Sequence, residues 1–396
     1  MAFIFITLLI DVTGFGIIIP VLPQLVAYLT GGSLSDASKW GGLLTFTYAA
    51  MQFLFAPVVG GLSDQYGRRP VLLASLFVFS VDFIIMGLSS TIWWLFAGRM
   101  LAGITGASFT TAAAYIADVS PPEKRAQNFG LIGVAFGLGF IIGPILGGFL
   151  GHYGMRLPFF AAAALAFLNG LYGYFILPES LALQNRRRFE WKRANPWGAF
   201  KKFTTAPVLM WLGAAFLCLH VAGHANQTMW SYITMEKFKW DSSMVGMSLG
   251  WVGFSVAMVQ GGLTRIVIPR LGPRWSAYTG LAFYTAGFLL FAFATKGWMM
   301  FVFMVPFAMG GIAGPALQSI MAGLVPSNEQ GELQGSMTAL MSVAAIIGPL
   351  LMSNVFYYFT HDEAPVYFPG VPFLLGAILT LAGLVITVQT LRKSVH

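Results

Sequence analysis

The chain has 396 residues and a formal charge of +8, yet only 9% of its residues are charged and 57% are hydrophobic. A soluble domain of this length needs far more surface charge, so the composition excludes that class and points to a protein immersed in lipid. Lysines and arginines are spread through short loops rather than gathered in one patch, which argues against nucleic acid as a partner.

A helix takes about 20 residues to cross the ~30 Å hydrocarbon layer. Twelve apolar stretches of that order occur, near 3–29, 39–62, 70–89, 93–116, 127–151, 157–177, 207–234, 242–268, 275–294, 298–323, 334–359 and 371–390. The longest imply tilt or projection beyond the bilayer. The expected fold is therefore an all-α membrane protein, with six spans in 1–177, a basic cytoplasmic linker at 178–206 and six spans in 207–396. With the N-terminus inside, Arg68, Arg69, Lys124, Arg125, Arg186, Arg187, Arg188, Lys192, Arg193, Lys201, Lys202, Arg265, Arg270, Arg274, Arg392 and Lys393 lie on the cytoplasmic side. Lys39, Arg156, Lys237, Lys239 and Lys296 fall on the other. This imbalance predicts that both termini are cytoplasmic in an inner, cytoplasmic membrane.

The first span carries Asp11 in Leu8-Leu9-Ile10-Asp11-Val12-Thr13-Gly14. No small-residue cleavage site follows a basic start, so it reads as a retained helix rather than a signal peptide. An ionisable residue at this depth costs at least ~2.5 kcal/mol, which makes Asp11 a candidate for proton transfer, with a static buried ion pair as the alternative.

After the second span comes Gly60-Gly61-Leu62-Ser63-Asp64-Gln65-Tyr66-Gly67-Arg68-Arg69-Pro70. Glycine permits a tight reversal, Pro70 suits the first turn of the next helix, and two arginines offer partners to Asp64. This segment resembles the signature of the major facilitator superfamily between helices 2 and 3, with Gln65 in place of a commonly basic residue. The resemblance implies a cytoplasmic gate in which Gly60, Asp64, Gly67, Arg68 and Arg69 take part.

Asp82 lies in the third span, and Arg99 opens Arg99-Met100-Leu101-Ala102-Gly103-Ile104-Thr105-Gly106 in the fourth. The latter is similar to a helix 4 motif of the family linked to proton transfer. A carboxylate withdrawn from water holds its proton more tightly, whereas a neighbouring arginine opposes that. Asp11, Asp82 and Arg99 are thus the proton-coupling candidates, with Asp11 and Arg99 expected to form part of the coupling site.

The fifth span places Gly130, Gly139, Gly143, Pro144, Gly147 and Gly148 at spacings that allow close helix contact and a bend. This resembles the motif of the drug:proton antiporter branch, which lies between the halves. The linker holds Arg186-Arg187-Arg188 and further basic residues, read as a topology signal, with contact to anionic headgroups as the alternative.

In the seventh span His220 and His224 share a helical face, followed by Asn226, Gln227 and Trp230. Lining of a substrate passage, structural hydrogen bonding and a Zn²⁺ pair are the three readings, and no third metal ligand is evident. Cys218 has no disulfide partner, being the one cysteine. Aromatic and methionine residues such as Phe216, Trp230, Trp251, Phe254, Met258 and Phe307 suit a flat apolar ligand, with helix packing as the alternative for each. Gln227, Gln260 and Gln318 are candidate polar contacts.

Gly310-Gly311-Ile312-Ala313-Gly314-Pro315 and Gln330-Gly331-Glu332-Leu333-Gln334-Gly335 are similar to tetracycline efflux proteins, as are the surroundings of Asp11, Asp82 and Trp240-Asp241. Two departures stand out. Val256 replaces that family's helix 8 histidine, and Tyr284 replaces its helix 9 aspartate, which moves the expected coupling onto the first half. Ile141-Ile142-Gly143-Pro144 recurs as Ile346-Ile347-Gly348-Pro349. The same offset relates Trp93 to Trp298 and Gly106 to Gly311, as expected of parallel repeats with function between them.

The expectation is a proton-coupled antiporter exporting an amphipathic drug or metabolite, with import of a nutrient on the same scaffold as the alternative. It would be a monomer and not an enzyme, since no phosphate-binding Walker loop occurs. It would need no resident metal or cofactor, with Mg²⁺ entering only within a chelated substrate.

Overall fold

The computed structural model describes residues 2–106, 108–121, 125–189, 203, 206–326 and 329–393. These are helical almost throughout, and no strand occurs among them. The chain folds as two compact units, one of 1–32, 47–196 and 240–253, the other of 33–46, 197–239 and 254–396.

The first unit is built from α1 (Ala2–Ile18), α2 (Leu22–Thr30), the greater part of α3 (Leu34–Tyr66), α4 (Arg68–Leu88), α5 (Ile92–Thr105), α6 (Ser108–Val119), α7 (Arg125–Tyr153) and α8 (Leu157–Ile176). α1 packs on α7 and α8, while α4 packs on α5, α6 and α8. Ile4, Leu8, Leu72, Ala112, Ile116 and Ala135 form one core of this unit. Such helices are apolar on every side, as lipid-immersed helices are, so close packing rather than amphipathicity selects their neighbours.

The second unit holds α9 (Pro207–Gln227), α10 (Trp230–Phe238), α12 (Thr264–Phe293), α13 (Gly297–Met309), α14 (Ala313–Gly323), α15 (Gln330–Tyr358) and α16 (Val371–Lys393). α9 lies against α15 and α16, and α12 against α13, α14 and α16. Phe216, Leu281, Leu317 and Met337 belong to its core. α11 (Ser242–Met258) contributes its first part to the first unit, just as the start of α3 belongs to the second.

Among the described residues, nine helical segments are long and apolar enough to cross a membrane, and α1 with α2, bent by 45°, makes a tenth. Ser242–Phe293 counts as one segment but is broken at Gly272, whose φ of 75° between Pro269 and Pro273 is not helical. The apolar α5 is only 14 residues long and stops at Gly106, with α6 continuing from Ser108. With these two breaks counted, the described helices accommodate the twelve expected spans.

Candidate functional site

The charged centre of the first unit is the ion pair between Asp82 of α4 and Arg99 of α5. Arg99 Nη2 donates to Asp82 Oδ2, and the side chains of Asp82 and Arg99 are 0% and 7% exposed. Gly98 allows this approach, because a Cβ there would strike the Asp82 carboxylate. Arg99 also lies 5.7 Å from the ring centroid of Tyr48 on α3, a favourable cation–π arrangement. Asp82 Oδ1 and Arg99 Nε are buried without a hydrogen-bond partner. Arg99 pairs directly with Asp82, and Asp11 on α1 is half-buried. Tyr48 is not among the sequence candidates, and nor is Gln52, which donates to Gly106 O at 2.8 Å.

At the turn between α3 and α4, Arg68 Nη1 lies 2.5 Å from Asp64 Oδ1 and its Nε donates to Asp118 Oδ2 at 3.2 Å. Gly67 takes φ 106°, a region closed to other residues in practice. Arg69 Nη2 donates to Tyr174 O at 2.7 Å. A Cβ on Gly60 would meet open space, so this glycine has no packing reason in the turn.

The glycines of α7 are seats for neighbouring backbone. A Cβ at Gly139 would lie 2.7 Å from Val12 Cβ, and one at Gly143 would lie 2.8 Å from Gly16 Cα. Gly147 faces Ile17 O in the same way, so three of these glycines receive α1. Gly148 faces α11, with Gly246 Cα 3.0 Å from its would-be Cβ, and Pro144 O lies against Gly246. The surroundings of Gly130 lie outside the described residues.

In the second unit, His220 and His224 are half-buried on α9. His220 Nδ1 contacts Phe216 O at 2.9 Å, so Nδ1 must carry the hydrogen and Nε2 is left as the acceptor in the neutral ring. His224 Nδ1 is 3.3 Å from Thr228 Oγ1. The ring of His224 occupies the space over Gly348 on α15, where a Cβ would come within 2.9 Å of His224 Cβ. Asn226 Nδ2, a few residues on, is buried and unpartnered. No group of three or more His, Cys, Asp or Glu side chains suited to a metal occurs among the described residues.

Gln227 and Gln260 are exposed and Gln318 is half-buried, whereas Trp251, Phe254 and Met258 are exposed. Trp230 and Phe307, two of the aromatic candidates, are buried. Trp230 is 1% exposed, with Phe291 and Phe373 edge-on at 5.3 and 6.0 Å. Phe307 is 5% exposed and packs on Tyr284, Phe288 and Phe291. Phe216 is fully buried as well. These rings pack in the core of the second unit, a placement that an all-apolar helix does not signal in its sequence. Tyr284 belongs to this aromatic cluster and lies over Gly310, an apolar setting ill suited to a carboxylate.

The sequence matches the Major Facilitator Superfamily over residues 4–269 and 264–394. It is 39% identical over 375 residues to the class C tetracycline resistance protein of Escherichia coli, covering 95% of this chain and 93% of that one. It is 35% identical over 379 residues to the class H tetracycline resistance protein of Pasteurella multocida, with 93% and 91% covered. Among solved structures, the nucleoside transporter NupG superposes with a TM-score of 0.78 over 98% of this chain and 98% of that one, at 12% identity. With two spans of the family's pattern covering nearly its whole length, the chain is a member of the Major Facilitator Superfamily.

Proposed function

We propose that this protein is a proton-coupled antiporter that exports an amphipathic drug of the tetracycline type, or a related metabolite, by alternating access. The observation that carries the reading is the buried Asp82–Arg99 pair, with Tyr48 over the guanidinium. Charges withdrawn from water are expensive, and a group whose partner can change has a reason to exchange a proton. The identity to tetracycline resistance proteins supports the cargo class, and the antiporter pattern on α7 supports export.

In this reading the proton is the coupling ion, and Mg²⁺ travels only with a chelating cargo. His220, His224, Gln227, Gln260 and Gln318 supply polar contacts to the cargo, and the cytoplasmic turn around Arg68 acts as a gate. Two six-helix halves, 1–177 and 207–396, joined by the linker at 178–206, would sit in the inner membrane as a monomer with both termini in the cytoplasm. No catalysis of a chemical step is assigned.

Inside-out membrane vesicles with an imposed pH gradient test this directly. Tetracycline with Mg²⁺ should accumulate when the lumen is acidic, and the accumulation should vanish in Asp82→Asn. Uptake that ignores the gradient would leave facilitated movement on the same scaffold as the better account.

A further inference from the structure

The first residues after α8 run along the turn between α3 and α4 and are fastened to it at several points. Glu179 Oε1 accepts from the backbone N–H of Arg68 at 2.8 Å, and its Oε2 accepts from that of Arg69 at 3.3 Å. The first N–H groups of α4 have no partner within their own helix, so this carboxylate satisfies two donors at the positive end of the helix dipole. A Cβ on Gly67 would run into the same carboxylate. Ser180, next in sequence, donates to Asp118 Oδ2 at 3.1 Å, the oxygen that also receives Arg68 Nε. Arg68 is thereby held from both ends, its backbone by Glu179 and its guanidinium by Asp64 and Asp118.

Further along, Arg187 N–H donates to Asp64 O at 3.1 Å, and Phe189 N–H donates to Gln65 Oε1 at 2.9 Å. The Phe189 ring lies on Gly61, where a Cβ would stand 2.6 Å from its Cδ2. Arg186 Nη2 is 3.8 Å from Glu179 Oε2, which ties the middle of the segment to its start. A passive tether has no reason to address residues 61, 64, 65, 68 and 69 in succession.

We propose that residues 179–189 form a strap that positions the Asp64–Arg68–Asp118 gate, with Glu179 and Phe189 as positioning residues of the transport cycle. The proposal rests on the transport reading above for its effect on rate, but the strap itself is measurable without a substrate. Loosening the strap frees the Arg68 backbone and lets the gate lose its register, so the cycle slows while the affinity for cargo is untouched.

Four full-length variants in lipid nanodiscs decide it. They are Glu179→Gln, Phe189→Ala, a six-residue Gly-Ser insertion after Gln184, and the same insertion after Asn195. Hydrogen exchange at the amides of Arg68 and Arg69 should quicken by about tenfold or more in the first three and stay at the wild-type rate in the fourth. Uptake of tetracycline with Mg²⁺ into inside-out vesicles should show a maximal rate reduced roughly two- to thirtyfold in the first three, with KM unchanged. Glu179→Asp, which keeps the charge, should recover part of both signals.

Wild-type exchange rates at Arg68 and Arg69 in the strap variants would overturn the proposal. So would faster exchange with an unchanged maximal rate, or an equal loss from the insertion after Asn195. A wild-type chain that accumulates no tetracycline counts against the transport reading, and the exchange signature then still decides whether the strap exists.

Discussion

Asp82 and Arg99 meet across α4 and α5 as an ion pair closed off from water, with Tyr48 over the guanidinium. The pair leaves one carboxylate oxygen and one guanidinium nitrogen without hydrogen bonds. Such an arrangement is poorly stabilising by itself, because desolvation of both charges offsets most of their attraction. Under the proposed antiport, a change in this pairing would accompany the transport cycle.

Removing one partner strands the other charge. Asp82→Asn should therefore cost about 3–5 kcal/mol of stability, whereas Asp82→Asn combined with Arg99→Gln should recover much of it. Neither variant should couple transport to protons. Thermal melting in detergent and gradient-driven uptake in vesicles check the two halves of this expectation. A double variant that accumulates cargo like the wild type would remove the pair from the mechanism.

Asp11, half-buried on α1, allows a separate test. Asp11→Asn keeps the shape of the side chain and should leave the melting temperature nearly unchanged. Gradient-driven accumulation should fall about a hundredfold, the scale of a lost positioned proton carrier. Exchange of cargo for cargo across the membrane without a gradient should continue. Loss of that exchange would make Asp11 a cargo contact instead.

The charges can be singled out in the sequence because an ionisable residue in an apolar run is conspicuous whatever its orientation. Their pairing cannot, since whether Arg99 meets Asp11 or Asp82 depends on the rotation of α1, α4 and α5 about their axes. Tyr48 and Glu179 are inconspicuous for opposite reasons. An aromatic residue in a span has no signature, and a glutamate just past a span looks like any loop charge. The Gly67 turn is legible because its glycine and arginines sit at fixed offsets. The burial of Trp230 and Phe307 is not legible in the sequence, because aromatic content identifies an apolar environment without saying whether it is cavity wall or core.

Gly67 offers a test of the turn that is independent of transport. Its φ of 106° and ψ of 160° belong to a region that side chains rarely enter, at a cost of about 1–3 kcal/mol. Gly67→Ala must also displace Glu179 from the start of α4. The variant should melt lower, and pairing it with Glu179→Gln should cost less than the sum of the two, because the clash is then with a group already released. Strict additivity would mean that Gly67 and Glu179 act separately.

Tyr367 donates to Glu236 Oε1 at 2.6 Å in the segment between α15 and α16. Burial first, then this hydrogen bond and the charge of Glu236, push its phenol above the ordinary value of 10.0. The folded state holds this proton more tightly than the unfolded chain does. The contribution is therefore complete below about pH 10 and is lost as the pH rises toward the folded value. Melting curves on both sides of pH ~10 should show a steeper alkaline loss for the wild type than for Tyr367→Phe. Parallel losses would mean that the contact adds nothing.

Gly348 and His224 test the second unit. The ring of His224 fills the space that a side chain at position 348 would take, so Gly348→Ala must move it. Overpacking of this kind costs about 1–3 kcal/mol, and the melting temperature should drop accordingly. If His224 contacts cargo, KM should rise in Gly348→Ala and rise similarly in His224→Gln, while the maximal rate changes less. His220 should be affected less by the added methyl, because its Nδ1 is held by Phe216 O within its own helix. A lowered melting temperature with KM unchanged in both variants would assign His224 to packing alone. The polar contacts to cargo would then have to come from Gln227, Gln260 and Gln318.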